Sequence, residues 1–65
     1  MPDRPMHEPE VLHQLKNHLS IVVGFSELLL AELPAGDARH ADIAEMHNAA
    51  RAAIALVPAL AERFR

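Results

Sequence analysis

The chain has no cysteine, no tryptophan and no tyrosine, and its only aromatic residues of that kind are Phe25 and Phe64. Without cysteine there is no disulfide framework and no thiolate metal site. With so few aromatic rings there is no platform for stacking nucleobases. Six Lys/Arg against nine Asp/Glu leave a net charge of −3 at pH 7, which argues against nucleic acid as a partner. Only two glycines occur, Gly24 and Gly36, so no glycine-rich loop can cradle a phosphate, and no serine–histidine–acid set can be argued from spacing. Long apolar runs are missing too. The stretch from Ile21 to Leu33 is interrupted by Gly24, Ser26, Glu27 and Glu32 and falls short of the roughly 20 residues a membrane span needs. No basic leader with an apolar core and a small-residue cleavage site is visible. These absences lead us to expect a soluble, cytoplasmic protein with no membrane partner.

What is present is helical patterning. The first residues, 1–9, carry three of the five prolines and mixed charge, and read as a flexible arm. Met1 and these prolines suit a natural start. From there 10–65 reads as one small domain: a first helix over about 9–33, a turn at 34–37 and a second helix over about 38–64. Pro9 suits a first helical position, and Glu8 and Glu10 suit the positive end of the helix dipole. Pro34 cannot extend a helix, Gly36 tolerates a turn backbone, and Asp37 is a good N-cap. So short a link makes the helices antiparallel neighbours.

Apolar residues recur at alternating steps of three and four in both segments. Leu12, Leu15, Leu19, Val22, Ser26, Leu29 and Leu33 form one seam; Ile43, Met46, Ala50, Ala53, Val57, Leu60 and Phe64 form the other. This is the heptad-like pattern of bundle packing. At about 100° per residue, the apolar arc of the first helix spans roughly 220°. A single hairpin neighbour needs far less. A 65-residue chain also buries little surface of its own. The expected architecture is therefore all-α, an antiparallel helical hairpin homodimerising into a four-helix bundle.

Opposite the seam lies a narrow stripe of His13, Asn17, Ser20, Gly24, Glu27 and Ala31. A histidine placed among polar and small residues is held in water, and most such histidines are solvated surface residues and nothing more. The neighbourhood of this one is distinctive. His13-Gln14-Leu15-Lys16-Asn17-His18-Leu19, followed by Val22-Val23-Gly24-Phe25-Ser26-Glu27-Leu28-Leu29-Leu30, resembles the first helix of a histidine-kinase dimerisation-and-histidine-phosphotransfer (HisKA-like) domain. Asp42-Ile43-Ala44-Glu45-Met46, Ala49-Ala50-Arg51-Ala52-Ala53 and the Leu60–Phe64 end resemble its second helix. The resemblance covers nearly everything from Val11 to Arg65.

The resemblance implies that His13 is a phosphoacceptor, one ring nitrogen attacking phosphorus while the other is held by a hydrogen bond. It implies that Asn17, one turn on, orients water for dephosphorylating a partner. It places Ser20, Gly24 and Glu27 on the face where a response-regulator receiver domain docks; the plainer reading of these three is an ordinary solvated face. The sequence departs from the family in four ways. These residues include no ATP-binding catalytic domain, so the chain is not expected to phosphorylate itself from ATP. Gln14 stands where the family has Glu or Asp, and an amide cannot act as the activating base. His18 stands where many members have proline, and reads as a partly buried packing residue. Pro58 falls inside the second helix, where it is expected to push Val57 out of helical geometry and to shape or mobilise the bundle beside His13.

The expected function is a two-component signalling module. It is a dimeric phosphotransfer domain exchanging a phosphoryl group between His13 and a receiver aspartate, with a receiver or a histidine kinase supplied in trans. Two alternatives stay open: a non-catalytic decoy or inhibitor binding a receiver or kinase through the same face, and a purely structural dimer. No cofactor is expected in this chain, Mg²⁺ being needed only in a receiver partner. No metal site is expected either, since no two of the five histidines are spaced i,i+4 and His40 and His47 lie two turns apart. Glu27, Glu32, Glu45 and Glu62 read chiefly as solvating charges.

Overall fold

The computed structural model describes residues 8–63, with side chains from residue 10 onward. Two helices, α1 (Glu8–Glu32) and α2 (Ala38–Arg63), pack against each other as a hairpin. His7 and the rest of the arm through residue 7, and Phe64 at the far end, lie outside the described residues.

The link between the helices is built from local hydrogen bonds. Leu33 N–H donates to the Leu29 carbonyl at 2.9 Å, carrying the helical pattern one residue past Glu32 before Pro34 stops it. Asp37 N–H then donates to the Pro34 carbonyl at 2.9 Å, closing a four-residue turn. No described residue has positive φ, Gly36 included. The turn therefore does not exploit the left-handed freedom of glycine, and Pro34 ends α1 without a glycine cap. Asp37 starts α2. Its Oδ1 accepts from the Arg39 backbone N–H at 2.9 Å, satisfying one of the orphan donors of the first turn. The Arg39 guanidinium returns over the same carboxylate, Nε to Oδ1 at 3.1 Å and Nη2 to Oδ2 at 2.8 Å. These bonds hold the Asp37 carboxyl below its ordinary range, the side-chain bond from Arg39 first and its backbone bond second, and they raise the Arg39 pKa.

α2 runs unbroken through Pro58, and Val57 is both helical and buried. The expectation that Val57 would be pushed out of helical geometry is thus not met. The physical reason is position. Pro58 is exposed and stands in the last turns of the helix, so only the Ile54 carbonyl loses its N–H partner, while burial of Val57 anchors the preceding turn. Pro58 does not interrupt α2 beside the candidate acceptor.

The seam between the helices differs from the heptad expectation in its rotation. On α1 the residues withdrawn from solvent are Leu12, Leu19, Val23, Ser26 and Leu30, with Leu33 just past its end; on α2 they include His40, Ile43, His47, Ala50, Ile54 and Val57. Val23 and Leu30 replace the expected Val22 and Leu29, which stay 43% exposed, and His47 replaces Met46, which is 55% exposed. Leu15 and Leu60 also remain outward. Each helix has turned by roughly 30–60° from the centre of its apolar arc. The turn buries the small residues Ser26 and Ala50, 3% and 7% exposed, in the seam. Buried Ser26 satisfies itself, its Oγ–H donating to the Val23 carbonyl at 2.8 Å.

A two-helix layer encloses no core on both sides. The molecule measures 50 × 24 × 12 Å, and the short dimension is that of one helix with its side chains. Its radius of gyration is 15.5 Å, against about 11 Å for a compact domain of this length. Its accessible surface is 5124 Å², against about 4,100 Å² for a folded monomer of this mass. Large apolar side chains contribute to that surface: Val11, Leu15, Ile21, Val22, Phe25, Leu28 and Leu29 of α1, with Met46, Leu56 and Leu60 of α2, are all exposed. His18 belongs to this outward side and is exposed in the hairpin by itself; the intramolecular seam does not supply the partial burial the sequence led us to expect. Rotation of α1 toward its intramolecular seam left it uncovered.

Candidate functional site

His13, Asn17, Ser20, Gly24 and Glu27 are all exposed, and α1 carries them on one face because they recur at helical spacing. This face lies on the other side of α1 from Val22, Phe25 and Leu29. The hairpin therefore has one polar, small-residue edge and one apolar surface. His13 and Asn17 are one turn apart, with Cβ atoms about 5–6 Å from each other, close enough for both to face one phosphoryl group. Glu27 is roughly 21 Å farther along the axis and out of reach of anything bound at His13. Gly24 leaves open space: a Cβ built there meets nothing within 4 Å.

Among the described residues, no hydrogen bond or ion pair holds the His13 imidazole. Gln14 is also exposed, and adjacent residues on a helix do not face each other. The ring is accessible to an incoming phosphoryl group, with its second nitrogen open to a partner.

In the loop-proximal half of the hairpin the stripe is tied to α2. His47 Nε2–H donates to Glu27 Oε2 at 3.0 Å across the two helices. The two ends of this bond differ: the His47 side chain is 17% exposed and that of Glu27 56%. One turn further from the loop, Val23, Arg51, Ile54 and Ala55 line an open cleft of about 330 Å³. Sequence reasoning passed over His47, having weighed it only as a metal ligand. The signal was there: His47 stands four residues after Ile43 and three before Ala50, the spacing of a seam position. The expectation of Glu27 as an ordinary solvating charge holds for its exposure and misses its partner.

Glu32, Glu45 and Glu62 are exposed. Among the described residues no group of three or more His, Asp or Glu is placed to hold a metal ion, and no helix is long and apolar enough to cross a membrane. No protein-family model matches the chain, and neither a curated protein nor a solved structure matches it. The likeness to histidine-kinase phosphotransfer domains therefore rests on the residues themselves.

Proposed function

We propose that the chain is a dimeric histidine phosphotransfer module of a two-component signalling system, with His13 as the phosphoacceptor. The observation that carries this reading is the placement of His13. It is exposed in the second turn of α1 with Asn17 one turn on, within the His-Gln-Leu-Lys-Asn motif, on the face turned away from the apolar surface.

In the reaction, a ring nitrogen of His13 attacks the phosphorus of a receiver's aspartyl phosphate. The P–N bond forms as the P–O bond to the aspartate breaks, and the carboxylate leaves; the reverse step recharges the receiver. Catalysis is mostly positioning, because the receiver brings its own Mg²⁺ and acidic residues. Asn17 is assigned to orient water when the receiver is dephosphorylated. Ser20, Gly24 and Glu27 continue the docking face.

The dimer belongs to the same reading. Val22, Phe25 and Leu29, with Met46 and Leu60, are large apolar side chains left exposed by the hairpin, the kind of surface that marks an interaction site. A second copy laid against it completes a four-helix bundle while leaving the His13 edge free.

The test is phosphoryl transfer: the purified chain is mixed with a panel of phosphorylated receiver domains and separate kinases, beside His13→Ala. Acid-labile label on the wild type and none on the variant is the expected result. Gln14 favours a second reading. Where the family's activating carboxylate is an amide, a decoy that binds a receiver or kinase without accepting phosphate follows naturally. Tight binding without label, unchanged in His13→Ala, would select that reading.

A further inference from the structure

We propose that His47 is a positioning residue for partner recognition: it fixes the Glu27 carboxylate on the His13 face, where that carboxylate receives a basic side chain of the docking partner. The proposal rests on the phosphotransfer reading for the identity of the partner, and on the geometry alone for the role of His47.

Three observations carry it. First, the bond joins two helices at 3.0 Å, and its ends are unequal, the imidazole withdrawn at 17% exposure and the carboxylate displayed at 56%. The histidine is the anchor and the glutamate the part a partner can touch. Second, a polar ring occupies a seam position while Met46, the adjacent apolar candidate, stays 55% exposed. Burying an imidazole where a thioether would serve costs stability unless its polar atom is paired, and the pair it makes leads to the functional face. Third, Glu27 lies on the His13 stripe yet roughly 21 Å from His13 along the helix. That is too far for a role in the chemistry and well inside the footprint of one docked domain, which covers about 800 Å² on each partner. A glutamate free to rotate would have to be ordered on binding; one already held by His47 need not be. A carboxylate displayed this way selects a cation, and the single hydrogen bond to His47 engages only Oε2.

The test uses the full chain. NMR order parameters and scalar couplings of the Glu27 side chain are measured in the wild type, His47→Ala and His47→Gln, with circular dichroism to verify folding. A fixed Glu27 rotamer in the wild type, averaging in His47→Ala and recovery in His47→Gln are expected. An averaging Glu27 side chain in the folded wild type would overturn the proposal, whatever the partner proves to be. The second arm uses a phosphorylated receiver domain that transfers to His13. His47→Ala should raise the receiver concentration for half-maximal rate about tenfold, with the saturated rate unchanged and His47→Gln restoring affinity. Glu27→Gln should give the same loss, and Glu27→Gln added to His47→Ala should weaken binding no further. Independent, additive losses, or a fall in saturated rate alone, would overturn it. A wild type that accepts phosphate from no receiver and binds none would remove the phosphotransfer reading and the basic-partner half of this proposal. The NMR result would then still decide the role of His47.

Discussion

The two long surfaces of the hairpin contrast sharply. One presents Val22, Phe25, Leu29 and Met46 to solvent, large apolar groups with nothing over them. The other presents His13, Asn17, Ser20, Gly24 and Glu27, polar or small, with Glu27 tied to α2 by His47. Both belong to the same helix, and the same packing step created both. When α1 turned its Leu12–Leu19–Val23–Ser26 edge onto α2, it left the rest of a very wide apolar arc facing outward and carried the His13 stripe away from it. The lesson is that one packing step leaves one surface apolar and uncovered and the other polar and open. Covering the first does not obstruct the second.

The strongest way to break this contrast is a charge on the apolar surface. Val22→Asp is expected to weaken self-association by more than a hundredfold, about 3 kcal/mol, because the carboxylate would be buried against a second copy. Sedimentation equilibrium reads it. A change within about 0.5 kcal/mol, the usual range for an exposed site, would mean that the surface is not an interface. Next in size is Ala50→Leu. Ala50 is 7% exposed and small, and a larger side chain there should force the helices apart and cost about 1–3 kcal/mol in denaturant unfolding.

Gly24→Ala sharpens the other surface. No atom lies within 4 Å of the added Cβ, and alanine in a helix interior is worth about 1 kcal/mol over glycine. Melting should therefore rise by roughly 4–8 °C. If a receiver helix approaches this point closely, transfer to His13 should slow in the same variant that melts higher. Equal transfer would move the docking site away from Gly24.

The smallest effect belongs to the turn, which both surfaces share. The Asp37 carboxyl is held below its ordinary value chiefly by the Arg39 side chain and then by the Arg39 backbone. Between the folded and unfolded values the unfolded chain binds more protons, so stability is present above the unfolded pKa and is lost as pH falls through the folded one. Below about pH 4 the wild type should therefore lose melting temperature more steeply than Asp37→Asn, which keeps an N-cap acceptor but no titrating charge. Parallel pH profiles for the two would show that the carboxylate contributes nothing beyond its cap.

Much of this was legible in the residues. The two helices, the stop at Pro34 and the cap at Asp37 follow from local chemistry that depends on a few neighbours in the chain, and the structure has all of them. The exposure of His13, Asn17 and Gly24 was legible too, since helical spacing alone sets them apart from the leucines. The rotation of the seam was not. Val22 and Val23, like Leu29 and Leu30, are equivalent to any hydrophobic pattern, and so wide an arc offers more than one edge for packing. The second helix was expected to run past Pro58, but the helical geometry of Val57 was misjudged for a related reason: its burial counts for more than the local preference of a residue before proline.

The sequence by itself determined that this chain is helical, where its helices break, and which residues share a face, because these depend on propensity, capping and the period of the helix. Only the tertiary structure decided which edge of each apolar arc is buried, that His47 takes the seam position in place of Met46, and that Glu27 is thereby paired across the two helices. Those outcomes depend on how closely two helices can approach. Ser26 and Ala50, the small buried residues of the seam, allow a close approach.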